Sequence, residues 1–130
     1  MKKLFYLSLI IGLTSCEFYY LEPRYDAVNR LTGRYSVQEY SETYNEYTNY
    51  SIWIESAGRY NELTIENFYG ADIRVCASLL NDKITIQRQV VNGVEIEGVG
   101  TVYGDEIEFN YSVRDLYSGT RTDFCEATAW

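Results

Sequence analysis

The sequence predicts an all-β domain: an eight-stranded antiparallel up-and-down barrel, with an open β-sandwich as the alternative. Three observations carry this prediction. From Leu31 onward, apolar and polar residues alternate with period two. Turn residues cut the alternation roughly every 8–12 positions, the spacing of short meandering strands. No window carries apolar residues at helical spacing. The chain has 130 residues, enough for one such domain.

The elements follow in order. Residues 1–15 read as a secretory signal. Lys2 and Lys3 form a basic start, and the apolar run from Leu4 to Leu13 is shorter than the ~20 residues a membrane span needs. Residues 16–30 read as a tether containing Pro23, and residues 31–130 as the β domain. Strands are expected at 33–41, 49–56, 61–68, 72–80, 83–90, 94–103, 106–114 and 121–129.

Two turns set a register. Asn81-Asp82 as a two-residue loop places Leu79 opposite Ile84, Ala77 opposite Ile86 and Val75 opposite Arg88. Gly104-Asp105 places Gly100 opposite Phe109, Gly98 opposite Tyr111 and Ile96 opposite Val113, so each ring covers a backbone without a side chain. Asn92-Gly93 as a plain two-residue turn would throw Ile96, Gly98 and Gly100 onto the wrong face. A three-residue loop, Val91-Asn92-Gly93, with a bulge at Gly93 restores one common core face, with Ile86 opposite Gly98 and Arg88 opposite Ile96. The last pair then sets Val113 against Asp123, Tyr111 against Cys125, Phe109 against Ala127 and Ile107 against Ala129. This parity sends Cys76 outward and Cys125 inward, so both are expected as free thiols although the β domain holds two cysteines that could pair.

Composition narrows the function. The net charge is −8, and losing Lys2 and Lys3 would make the remainder more acidic, which argues against nucleic acid and against electrostatic attraction to anionic lipid. The chain has no histidine, which removes Ser-His-Asp and Cys-His nucleophile systems and the commonest metal ligand. No Gly-rich phosphate loop and no Asp-x-Asp calcium loop occurs. The carboxylate pairs Glu95/Glu97 and Glu106/Glu108 read as solvated strand faces. The expectation is a non-enzymatic protein without metal or cofactor.

The stretch Leu13-Thr14-Ser15-Cys16 resembles the lipobox of bacterial lipoproteins. That resemblance implies cleavage before Cys16, lipidation of its thiol and anchoring to the bacterial envelope, with the outer membrane as the expected location, facing the periplasm or the surface. Leu31-Thr32-Gly33-Arg34-Tyr35 resembles the lipocalin G-x-W signature with tyrosine in place of tryptophan, and Arg121 stands where lipocalins pack a basic residue on that ring. Together with Ile96-Glu97-Gly98-Val99-Gly100-Thr101 and Thr122-Asp123-Phe124-Cys125-Glu126-Ala127, the chain resembles the small lipocalin-like, or calycin-like, envelope lipoproteins. Ser56-Ala57-Gly58-Arg59-Tyr60 is similar in composition to the loop of membrane-bound lysozyme inhibitors, with its glycine displaced by one position.

In an up-and-down barrel the long loops at 42–49 and 115–120 share one end, and the tight turns share the other with the tether. Inward positions near the long-loop end are not apolar: Arg88, Asp123, Tyr50 and Glu39. Charges there mark an open mouth or a plugging salt bridge. Tyr44, Tyr47 and Tyr117 would rim it. The expected binding residues are therefore Arg88, Asp123, Tyr50, Tyr44 and Tyr47. The expected function is a lipid-anchored module that binds a small molecule, glycan or protein at the mouth. The alternatives are an accessory subunit of an envelope complex or a lysozyme-inhibitor-like protein.

Overall fold

A computed structural model describes residues 27–59, 61–119 and 121–130. The leader, Cys16 and most of the tether lie outside the described residues. Eight antiparallel strands meander into a closed barrel in sequence order, β1 to β8: Gly33–Ser41, Glu46–Ser56, Glu62–Phe68, Ile73–Leu80, Lys83–Val91, Val94–Tyr103, Glu106–Asp115 and Asp123–Ala129. Closure leaves no sheet edge to seek another strand. The sandwich alternative is excluded because β1 pairs with β8 from Val37↔Ala129 to Ser41↔Cys125.

Period-two alternation places the core as expected. Val37, Ile52, Ile54, Leu63, Ile65, Ile73, Val75, Ala77, Leu79, Ile84, Ile86, Ile96, Ile107, Phe109, Tyr111, Val113, Cys125 and Ala127 are all buried. Tyr35 is half-buried and donates its hydroxyl to the Leu31 carbonyl at 2.9 Å. The domain begins earlier than residue 31. Val28 is fully buried beneath the 3-10 turn Asn29–Leu31, and Arg30 reaches the β4–β5 turn, 3.0 Å from the Asp82 carboxylate. The N-terminal segment therefore packs on the end formed by the tight turns, here called the tether end.

The β6–β7 and β7–β8 registers are as derived: Gly98 lies opposite Tyr111, Gly100 opposite Phe109 and Val113 opposite Asp123. The β5–β6 hairpin differs. Asn92 and Gly93 both have positive φ, 51° and 80°, and form a plain two-residue turn with Val91 opposite Val94. The extra residue needed for parity lies inside β5. Ile86 pairs with Gly98 and Gln89 with Ile96, so two residues, Gln87 and Arg88, face one on β6. The bulge corrects two expectations at once: Gln89, not Arg88, meets Ile96, and Arg88 turns outward.

The same bulge parts β5 from β4. Their ladder runs only from Ser78↔Thr85 to Leu80↔Lys83, so Ala77–Ile86 and Val75–Arg88 do not form. The Gln89 amide fills the gap. Its Oε1 accepts the Cys76 N–H and its Nε2 donates to the Cys76 carbonyl, both at 2.9 Å, reproducing a strand partner with a side chain. Cys76 points outward and Cys125 inward, as the parity requires, and they do not bond to each other. Cys125 is free, but Cys76 is disulfide-bonded, so the expectation of two free thiols holds only for Cys125.

Candidate functional site

The long-loop end is closed by a buried polar network. On β1 the inward parity that buries Val37 also buries Glu39 and Ser41. On β8 it buries Asp123 and Cys125. Glu39 is 4% exposed and Asp123 5%, and no cation is buried beside them among the described residues. Hydroxyl groups satisfy the carboxyls instead. Tyr50 donates to Glu39 Oε1 at 2.6 Å, and Tyr111 donates to the same oxygen. Ser41 donates to Asp123 Oδ1, and Tyr69 donates to Oδ2 at 2.5 Å. The Cys125 thiol lies close enough to both carboxyls to interact with each, so it stands where the two halves meet.

Burial sets the electrostatics. It raises Glu39 above the ordinary carboxylate range; the Tyr50 hydroxyl pulls it back, and the Asp123 charge pushes it up again. Burial, with Glu39 and Asp123 nearby, also lifts Cys125 far above an ordinary thiol, leaving it a poor nucleophile. Tyr50 and Tyr69 are raised for the same reason and serve as donors. The mouth is thus neither open nor sealed by a salt bridge. It is stopped by a carboxyl–tyrosine–thiol network above an aliphatic core.

Tyr69 was not legible as a site residue. The β3–β4 ladder shifts between Glu66 and Phe68, and positive φ at Asn67 and Tyr69 turns Phe68 and Tyr69 toward the interior. Asn67 stabilises this turn, donating to the Ser51 carbonyl at 2.7 Å and accepting from the Asp72 amide at 2.8 Å. The available signal was an Asn-Phe-Tyr-Gly run at a strand end, where asparagine and glycine tolerate positive φ.

The five expected residues do not converge. Tyr50 and Asp123 lie in the network. Tyr44 sits on the lip, its amide bonded to Ser41 Oγ at 3.0 Å and its ring beneath Arg121 at 5.4 Å. Arg121 therefore packs on Tyr44 at the long-loop end rather than on Tyr35 at the tether end, contrary to the expected lipocalin-like pairing. Tyr47 stands on the outer wall, its ring 4.9 Å from Tyr40. Arg88 lies on the outer face of β5, paired with Glu97 at 3.0 Å. Tyr117, the third expected rim residue, is exposed, its ring lying over Gly93 where no side chain could fit. Tyr60 of the lysozyme-inhibitor-like loop lies outside the described residues.

The outer wall offers an accessible depression. A groove of about 310 Å³ runs across β7, β8, β1 and β2, bounded by Tyr40 and Tyr47 and floored by Gln38, Glu108, Asn110 and Thr128 beside Glu126. Glu126 and Glu42 interact closely enough to raise Glu42, chiefly through a carboxyl–carboxyl hydrogen bond. No family model and no curated protein matches this chain.

Proposed function

We propose that this protein is a lipid-anchored, non-catalytic binding module of the bacterial envelope, lipocalin-like in architecture, that engages its partner on the outer wall near the long-loop end. The observation carrying the surface site is the stopped mouth. With aliphatic side chains buried in the core and the network across the mouth, the groove beside Tyr40 and Tyr47 is where rigid aromatic area meets polar groups. A photoreactive residue at position 47 is expected to capture the partner in envelope fractions, and a Tyr47→Ala, Glu126→Gln variant to lose it. Full-strength capture by that double variant rejects the outer-wall site.

The anchor rests on the basic start, the short apolar run and Leu13-Thr14-Ser15-Cys16. Cys16→Ser is expected to abolish lipid labelling and membrane attachment; attachment that survives rejects the anchor. The chain has three cysteines, with Cys125 free and Cys76 disulfide-bonded. A thioether on Cys16 takes that sulfur out of disulfide chemistry, so the lipidated form should carry Cys76 as a thiol or joined to another molecule.

A further inference from the structure

The tether end carries a second surface. β2, β4, β6 and β8 run toward this end, and each turns one large apolar side chain outward there or immediately beyond: Trp53, Leu80, Tyr103 and Trp130. Their exposures are 43%, 73%, 57% and 56%, so none is absorbed by the fold. Trp130 continues β8 by pairing with Ser36, through Ser36 N–H to its carbonyl at 2.8 Å and its own N–H to Ser36 O at 2.9 Å, which holds it on the wall. Trp53 stands opposite Arg34, whose guanidinium lies 5.9 Å from its ring. Lys83 is exposed at the neighbouring β4–β5 turn.

Rings with a polar tip, with the long basic side chains of Arg34 and Lys83 beside them, match the bilayer interface, where the ring sits among headgroups and the charge reaches phosphate. The long-loop end exposes rings as well, Tyr44, Tyr117 and Phe124, but there they stand among the exposed acidic side chains Glu42, Asp115 and Glu126. The chain's path selects the same end. Ala27 enters the structure here, and Cys16 lies eleven residues earlier. At ~3.3–3.6 Å per residue, that peptide can hold a lipid on Cys16 no farther than roughly 36–40 Å away. The long-loop end stands a further strand length off, roughly 30 Å for nine residues, so the tether end is the nearer of the two to the anchor, although a fully extended tether would reach past both.

We propose that the tether end of the barrel rests in the headgroup layer of the bilayer that holds the Cys16 lipid, with Trp53, Leu80, Tyr103 and Trp130 as an interfacial belt. This inference rests on the proposed anchor. Lipid and belt together fix the barrel upright and present the acidic long-loop end away from the membrane.

Trp53 and Trp130 are the only tryptophans in the chain, so intrinsic fluorescence reads the belt directly. The full-length lipidated protein is reconstituted into phosphatidylcholine vesicles, with and without bromine near the top of the acyl chains. Trp53→Phe and Trp130→Phe variants separate the two reporters. The expected result is a blue shift and loss of emission for each tryptophan with brominated lipid. Mass analysis of the same sample reports the acyl addition. Lipidated protein whose tryptophans stay unquenched overturns the belt and leaves the anchor standing. A mass without acyl addition at Cys16 overturns both.

Discussion

At the scale of single residues, Glu39 determines how the molecule responds to pH. Its carboxyl is raised in the folded state mainly by burial, so the native protein holds that proton more tightly than the unfolded chain. The resulting stability is fully present below the ordinary carboxylate range and is lost as pH rises through the native value. Glu39→Gln keeps an acceptor for Tyr50 and Tyr111 without a charge. Its melting temperature relative to the parent is expected to climb as pH rises from about 4.3, the ordinary glutamate value, toward neutrality. A difference that shrinks with pH means the ionised carboxylate is the favoured form. Glu39→Ala removes the acceptor shared by the Tyr50 and Tyr111 hydroxyls, which keep only their mutual contact at 3.3 Å, and is expected to cost ~1–3 kcal/mol, measured by urea unfolding. Cys125, buried and raised by its carboxyl neighbours, is expected to resist alkylation until the barrel unfolds. Rapid labelling of native protein contradicts the network.

At the scale of elements, the glycines under the aromatic rings separate two kinds of close packing. A Cβ on Gly98 would meet the Asn110 carbonyl at 2.5 Å and the Tyr111 backbone at 2.7 Å, neither of which can rotate away. A Cβ on Gly100 would meet mainly the Phe109 ring, at 2.8 Å and 2.9 Å. Gly98→Ala is therefore expected to destabilise by at least the ~1–3 kcal/mol typical of overpacking, and more than Gly100→Ala; equal costs contradict the register. Gln89→Ala strips two partners from the Cys76 backbone and is expected to speed hydrogen exchange at the Cys76 amide with little change in β7 or β8. Strand order, barrel closure and nearly every core position were legible because period two is a strong signal and one buried face enforces it. The bulge at Gln87-Arg88 was not. Parity demands one extra residue somewhere between Ile86 and Ile96, and the sequence alone does not say whether the turn or the strand absorbs it. That single ambiguity moved Arg88 from the mouth to the outer wall. Asp123 and Tyr50 were found by inward parity, whereas Tyr69 depended on left-handed backbone beside an irregular ladder.

At the scale of the whole molecule, the two ends of the barrel differ in surface chemistry. The tether end exposes Trp53, Leu80, Tyr103 and Trp130, and the long-loop end buries Glu39 and Asp123 near a groove lined by Glu108 and Glu126. The seam between β1 and β8 has a further consequence. Each of the other strand pairs joins chain neighbours through a turn, but β1 and β8 meet only after more than eighty residues have been ordered, Val37 finding Ala129 and Ser41 finding Cys125. Closing so long a loop is entropically costly before any contact rewards it. The network concentrates its bonds there: Ser41 reaches Asp123 and Glu39 reaches Cys125 across the seam. These are late-forming contacts, expected to show low φ-values, so weakening them should leave the refolding rate nearly unchanged and accelerate unfolding. For a protein expected to cross a membrane unfolded and then persist in the envelope, the side chains that stop the mouth would act as a kinetic clasp, setting how long the folded barrel lasts rather than how fast it forms.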